Sequence, residues 1–387
     1  MKKLYTLLVV LFPILSVYAT PITNLSIADM LMILFLPIIV MDSIIKNFRI
    51  LKVSSPIVIL IFYLVFTLLI QIAFNTGVSI LSTIRYVLYL SFLLLSFRYF
   101  IFQYGIKLLK VITISVSVYA IVQYLVFRLF QTTIPWYIHG LKVMDESFIL
   151  LEKSPYYLMF YRPTGIFMEP THFAQFCVVY LAYLLFYDIK ANMQAFQALL
   201  ITAAVIVSGS SLGFIFLVFV WGIYFIKRQQ YKLSPMKIII GILIGLIGLR
   251  VVFSIDYFQH IISRMVTSSG FNGAAVGYRF NSIATFIDGD IPIWNLFFGF
   301  GRGSEKVYFT GIFYFLYANG IIGLLIYMWT CSKAILKSKG FRRWLVITVF
   351  LLSIGSADLP KSMIDTKAKN DKFKIRILKS NKVKALT

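Results

Sequence analysis

Apolar runs of membrane length recur along most of this chain, near 4–20, 26–45, 56–74, 80–101, 108–127, 171–187, 196–208, 210–226, 236–253, 309–330 and 344–357. A helix needs about 20 residues to cross the hydrocarbon core, and every backbone amide there must be satisfied inside the protein. Such runs restrict the chain to a helical bundle. They are continuous and not alternating, which argues against a β-barrel. Composition agrees. Of 387 residues, 60% are hydrophobic and 13% charged, about half the charged share usual in a soluble domain. The expected fold is an all-α polytopic membrane protein with about 10–12 transmembrane helices. It should occupy 1–357 and be followed by a basic, disordered tail at 361–387.

The net charge of +23 would suggest nucleic acid in a soluble protein. Here Lys and Arg fall in short links between apolar runs: Lys46, Arg49 and Lys52; Arg98, Lys107 and Lys110; Lys190; Lys227, Arg228, Lys232 and Lys237; Lys333, Lys337, Lys339, Arg342 and Arg343. The links 21–25 and 75–79 carry no charge. Positive-inside orientation then puts the N-terminus in the cytoplasm and makes 128–170 and 254–308 two large outer loops. The expected partner is the lipid bilayer, with no nucleic acid.

Three boundaries stay open. MKKLYTLLVVLFPILSVYAT reads as a signal peptide or as a first transmembrane helix, and the uncleaved helix is preferred. Residues 196–226 are few for two spans. One helix would send the KRQQYK loop outside and two short passes around VSGSSLG keep it inside; a buried helix broken at Ser208–Gly213 would reconcile both, and ordinary small-residue packing is the duller reading. Segment 344–357 is short, and crossing there would put the basic tail outside. Either it does not span or later helices are missing. Cys177 and Cys331 lie in apolar runs with no Cys/His cluster nearby, so they read as packing residues. Neither a metal nor any other cofactor is expected.

Charges at the outer side carry the functional signal. Arg85 lies within an apolar run, where a charge is costly and is a functional hypothesis by default. Arg162 closes the first outer loop; Arg264, Arg279 and Arg302 lie in the second. Guanidinium forks suit phosphate oxygens and stay charged at any working pH. The duller reading of each is snorkelling to headgroups, preferred for Arg264 only. Within YRPTGIFMEPTHFAQF at 161–176, Glu169 precedes Pro170. It either caps a helix N-terminus or acts as a surface carboxylate that binds or deprotonates a sugar hydroxyl, or holds Arg162. His172 could be a general base, though an interfacial residue is the safer reading; His260 is weaker. Asp29 reads as support for the start of its helix. GILIGLIG at 241–248 reads as helix packing. GFGRG at 299–303 lacks the strand and the GK[ST] of a phosphate loop. It reads as a tight turn carrying Arg302 near the outer surface.

YRPTGIFMEPTHFAQF resembles the R-x-T-G-x-F-x-E-P stretch of bacterial O-antigen and capsule repeat-unit polymerases (Wzy-type). The order Arg279, then Phe298-Gly299-Phe300-Gly301, then Tyr317-Ala318-Asn319-Gly320-Ile321-Ile322-Gly323 is similar to the C-terminal signature of the wider O-antigen ligase/polymerase superfamily. The resemblance covers roughly residues 1–357. It implies an inverted GT-C-like fold and a metal-independent glycosyltransferase in the bacterial cytoplasmic membrane, with its site facing outward. Donor and acceptor would be undecaprenyl-pyrophosphate-linked glycans, with a chain-length regulator and a flippase as possible partners. Arg162 and Arg279 would bind the leaving pyrophosphate, with Glu169 supporting the acceptor or Arg162. Arg85, Arg302 and His172 complete the expected binding set. The ligase branch carries an outer histidine where this chain has Phe309 and Thr310, which favours the polymerase over the ligase. A flippase for the same lipid is a further alternative, but it should show internal repeats and midplane charges. A scaffold protein would give no reason for Arg85 or the RPTGIFMEP stretch.

Overall fold

The structure, a computed structural model, describes residues 1–22, 25–45, 55–74, 77–152, 161–187, 192–228, 291–304, 309, 311–339 and 341–355. The run 236–253, His260, Arg264, Arg279 and the tail 361–387 lie outside the described residues. Within them the chain is helical almost throughout, the β pairings being isolated bridges of Tyr18 with Val143 and Ala19 with Ser26. In chain order the helices are α1 (Lys2–Leu15), α2 (Ile27–Ile45), α3 (Ser55–Ala73), α4 (Ile80–Tyr99), α5 (Phe102–Phe130), α6 (Ser147–Glu152), α7 (Pro170–Tyr187), α8 (Asn192–Val207), α9 (Ser211–Arg228), α10 (Ile293–Phe298), α11 (Gly311–Lys337) and α12 (Phe341–Gly355). Four of them, α2, α3, α5 and α11, are long and apolar enough to cross a membrane; α4, α7, α8 and α9 carry shorter apolar stretches.

Helix α3 shows which solvent the bundle is built for. Leu60, Leu64, Thr67 and Gln71, at helical spacing, are 1–3% exposed, while Phe62, Phe66 and Leu69 on other faces are 54–70% exposed. In water such a stripe of rings and leucines would drive association. Against lipid it needs no cover, so the polar atoms turn inward and the apolar ones outward. The molecule is an all-α membrane protein.

Helix α7 is the centre of the bundle. Phe173, Ala174, Cys177, Val178, Leu181 and Ala182 are fully buried and form one half of the helix surface; Gln175, Val179 and Tyr183 on the other side are half-buried. Helices α5, α8, α9 and α12 surround it. Lipid tails are as apolar as leucine, so close packing rather than water exclusion holds such helices together, and small residues permit it. Thr113, Ser117 and Ala120 of α5 are fully buried, and Ser117 Oγ lies 3.8 Å from Cys177 Sγ. A Cβ at Gly213 would fall 2.6 Å from the Cβ of Ala174, so α9 reaches α7 only because this residue is glycine.

Residues 196–226 fall in two short helices, with the break at 208–210 inside VSGSSLG. Gly209 turns at φ 61, and Trp221 Nε1 donates to Thr202 Oγ1 at 3.0 Å. A straight helix would hold those residues about 28 Å apart, so α8 and α9 fold back as a hairpin. Each is short, about 24–27 Å by its rise. Lys107 and Lys110, read as loop residues, lie in the first turns of α5, which starts six residues before the apolar run. Helix α12 packs on α11, α7 and α9. Helix α1 is part of the packed bundle: Tyr5 donates its hydroxyl to the Phe92 carbonyl, and the Thr6 hydroxyl accepts from Ile101 N at 2.9 Å.

Candidate active site

The YRPTGIFMEP stretch is a shaped loop leading into α7. Gly165 sits at φ 62, a conformation costly for any residue with a Cβ. One side chain holds it: Gly165 N–H donates to Gln123 Oε1 at 2.9 Å, and Gln123 Nε2 donates back to Gly165 O at 3.1 Å and to Ile134 O at 3.2 Å. Gln123 is 1% exposed, so its amide supplies both the acceptor and the donor that this buried loop backbone needs in place of water. Around this clamp Tyr161 stacks on Phe127 at 4.5 Å and Phe167 on Phe176 at 5.2 Å. Met168 packs with Tyr18, Trp136 and Val143. Burial pushes the Tyr18 phenol up, partly offset by the Ile138 N–H donated to its oxygen.

The anchored residues point inward and leave the charged ones at the rim. Pro163, Thr164, Phe167 and Met168 are buried; Arg162, Glu169 and His172 are half-buried. Pro170 opens α7, and Phe173 N–H donates to Glu169 O at 3.2 Å as the first turn closes. The expected Arg162–Glu169 pairing is not present. Among the described residues no ion pair includes either side chain.

A second clamp joins the two glycine motifs. Helix α11 breaks at Gly320, φ 66 and ψ −176, which frees the carbonyls before it. Phe300 N donates to Tyr317 O at 2.9 Å, and Gly301 N to Ala318 O at 3.1 Å. Gln71 Nε2 donates to Ala318 O at 3.2 Å and to Phe298 O at 2.9 Å; Tyr63 OH donates to Asn319 O at 2.6 Å. The backbones touch: a Cβ at Gly299 would fall 2.4 Å from Ala318 O, and one at Gly320 would fall 2.2 Å from Phe297 O. The F-G-F-G and N-G-I-I-G residues are therefore two halves of one backbone contact. Phe300 and Phe309 stack on Tyr317 at 5.0 and 4.7 Å.

Arg302 rides on this turn but does not reach the surface. It is 2% exposed, with its guanidinium 3.5 Å over the Tyr86 ring and 5.4 Å from that of Tyr314. Arg302 O accepts from Ser79 N at 2.7 Å, tying the turn to the start of α4. Glycines at 299, 301 and 303 let the turn sink between α3, α4 and α11, and the tyrosine rings receive the charge there. Arg85, next to Tyr86, is 7% exposed, and its Nε lies 3.7 Å from Asp29 Oδ2. Asp29 also accepts from Tyr89 OH at 2.6 Å and from Ser26 N at 3.2 Å, while Ser26 Oγ accepts from Asp29 N. That is a reciprocal cap on α2 doubling as counter-charge to Arg85.

By the alternation of the helices, these features share one end of the bundle. The structure sets Arg302 on Tyr86 and Arg85 against Asp29, and places Arg162, Glu169 and His172 at the start of α7. Gln123, Gln71 and Tyr63 were not anticipated; the signal was a single amide or phenol inside an otherwise apolar run. Among the described residues no cluster of three His, Cys, Asp or Glu side chains forms. No family model, curated protein or solved structure matches the chain.

Proposed function

We propose that the chain is a glycosyltransferase that polymerises undecaprenyl-pyrophosphate-linked oligosaccharide repeat units, as the O-antigen and capsule polymerases it resembles do, on an inverted GT-C-like helical scaffold at the outer face of a bacterial cytoplasmic membrane. The observation that carries the reading is the RPTGIFMEP loop. Its backbone is fixed by Gln123, while Arg162 and Glu169 stand half-buried and unpaired with each other. A held cation at a membrane surface is prepared for an anion that arrives with the substrate.

In the reaction, a hydroxyl of the acceptor repeat unit attacks the anomeric carbon of the donor glycan. The bond from that carbon to the pyrophosphate oxygen breaks, and undecaprenyl pyrophosphate leaves with the bonding pair. Glu169 receives the hydroxyl proton or orients the acceptor. Arg162, with Arg279, stabilises the charge growing on the leaving group, a term that acts most strongly where water is scarce. Arg85 and Arg302 support the floor of the site, and His172 lies at its rim. Phe309, at the place of the ligase histidine, is 2% exposed and stacked on Tyr317; this supports polymerase over ligase.

The test is purified protein in detergent with synthetic undecaprenyl-pyrophosphate repeat units, comparing wild type with Arg162→Ala and Arg279→Ala. The expected result is a ladder of longer lipid-linked glycans, lost in both variants. Transbilayer movement of the lipid without a ladder would replace the enzyme by a flippase. A ladder that survives both substitutions would discard these two arginines.

A further inference from the structure

At the end of the bundle opposite the RPTGIFMEP loop, a cavity of about 440 Å³ opens between the start of α5, the end of α7 and the start of α8. Its rim carries Lys107 and Lys110, both exposed. They are three residues apart, hence on one face of α5. Among the described residues neither makes an ion pair. Its depth is polar. Gln197 is 9% exposed, and its Oε1 is fully buried with no hydrogen-bond partner among the described residues. Its wall is apolar and aromatic: Leu184 and Tyr180 are buried, and Phe102 meets Tyr183 edge-on at 6.1 Å.

These three zones fall in a fixed order. Two cations stand at the mouth, an acceptor waits for a donated hydrogen inside, and an apolar wall leads along α7. Both α5 and α8 begin here, so their N-terminal partial positive charges add to the lysines. An isolated acceptor in a buried site is costly, and a ligand hydroxyl would relieve it. Phosphate suits the lysines, a hydroxyl suits Gln197, and an acyl chain suits the wall. Basic pockets between membrane helices take anionic headgroups by this logic.

We propose that this cavity binds a phosphate ester bearing a free hydroxyl, held as the headgroup of an anionic membrane lipid. The site is distinct from the candidate active site and does not depend on the glycan reading. Its role is to seat one lipid between α5, α7 and α8, on the flank of the central helix.

Native mass spectrometry of the detergent-purified full chain tests it, with phosphatidylglycerol, phosphatidylcholine and sn-glycerol 3-phosphate as probes. The expected result is one retained phosphatidylglycerol in preference to phosphatidylcholine. The preference should fall about 30-fold in the Lys107→Gln, Lys110→Gln double variant, the product of the attraction expected from two basic residues near a phosphate. Both lysines are exposed, so the double variant should melt like wild type. Gln197→Leu should also lower retention while leaving the lipid-free melting temperature unchanged or higher, because it removes the orphaned acceptor. If the double variant fails to fold, this second variant decides alone. Equal retention of the two lipids, or a preference untouched by these substitutions, overturns the proposal. Displacement of the lipid by equimolar glycerol 3-phosphate overturns the lipid source and leaves a soluble phosphate ester as the ligand.

Discussion

The loop held by Gln123 and the loop held by Gln71 sit at the same end of the bundle and use the same device, one buried amide on an apolar helix gripping glycine-bearing backbone. They differ in where the arginine goes. At the Gln123 clamp the apolar residues of the loop turn inward and Arg162 is left at the rim. At the Gln71 clamp the backbone itself sinks into the bundle, glycine against carbonyl, and draws Arg302 down onto Tyr86. The first is built to present a charge and the second to join two halves of the chain. The same residue type thus has different meaning according to whether the backbone beneath it is clamped at the edge or buried.

The contrast breaks most visibly at the glycines. Gly320→Ala and Gly299→Ala would each place a Cβ within 2.4 Å of a backbone oxygen. Backbone cannot step aside as a side chain can, so loss of folded protein is expected, beyond about 4 kcal/mol. Detergent-extracted yield and thermal melting check it. Gly165→Ala, facing the Phe173 ring at 3.2 Å and the Val116 carbonyl at 3.3 Å, should fold with a loss nearer 1–2 kcal/mol from its left-handed backbone, about that of one such residue.

Next in size are the arginines. Arg162→Ala should lower polymerisation about 10²–10³-fold, the usual effect of removing one group that stabilises transition-state charge, with the melting temperature unchanged. Arg302→Ala should do the reverse in kind. It should lower the melting temperature through loss of a desolvated cation–π contact of about 2 kcal/mol. Measuring turnover and melting on both variants sharpens the distinction, and matching profiles would erase it. Smaller effects are expected from the amides: Gln71→Leu and Gln123→Leu each strand buried carbonyls, at about 1–3 kcal/mol. The Gln71 variant should melt lower with its loss spread over α3, α10 and α11. The Gln123 variant should lose activity as well, because its loop carries Arg162. Hydrogen exchange of the two loops separates these outcomes. Of similar size is Tyr89→Phe, which removes one bond to the Asp29 carboxylate and should cost about 1.5–3 kcal/mol in melting experiments.

The sequence was most readable where a property belongs to one helix. The apolar runs located α2, α3 and α4 closely, the run 171–187 located α7, and Pro170 marked its first turn. It was least readable where partners are far apart in the chain. Gln71 and Phe298 meet across 227 residues, and Asp29 and Tyr89 across 60. No local pattern encodes either contact, so Arg85 was expected without its counter-charge. Arg302 was expected at the surface because a glycine turn usually lies there, and the glycines in fact serve close backbone approach. Lys107 and Lys110 were placed in a loop because their charge ended the apolar run, although charge at the first turns of a helix is compatible with helix. For the candidate site the motif was legible and its support was not: Gln123 looked like one polar residue in a long apolar run.

Helix α7 is packed by four other helices, but part of that cover is made late. During synthesis α5 has already emerged and α8 and α9 follow at once, whereas α12 comes roughly 150 residues later, about 8–30 s at ordinary elongation rates. For that interval lipid occupies the flank that α12 will take. Docking of α12 therefore exchanges bilayer for protein along one side of the central helix.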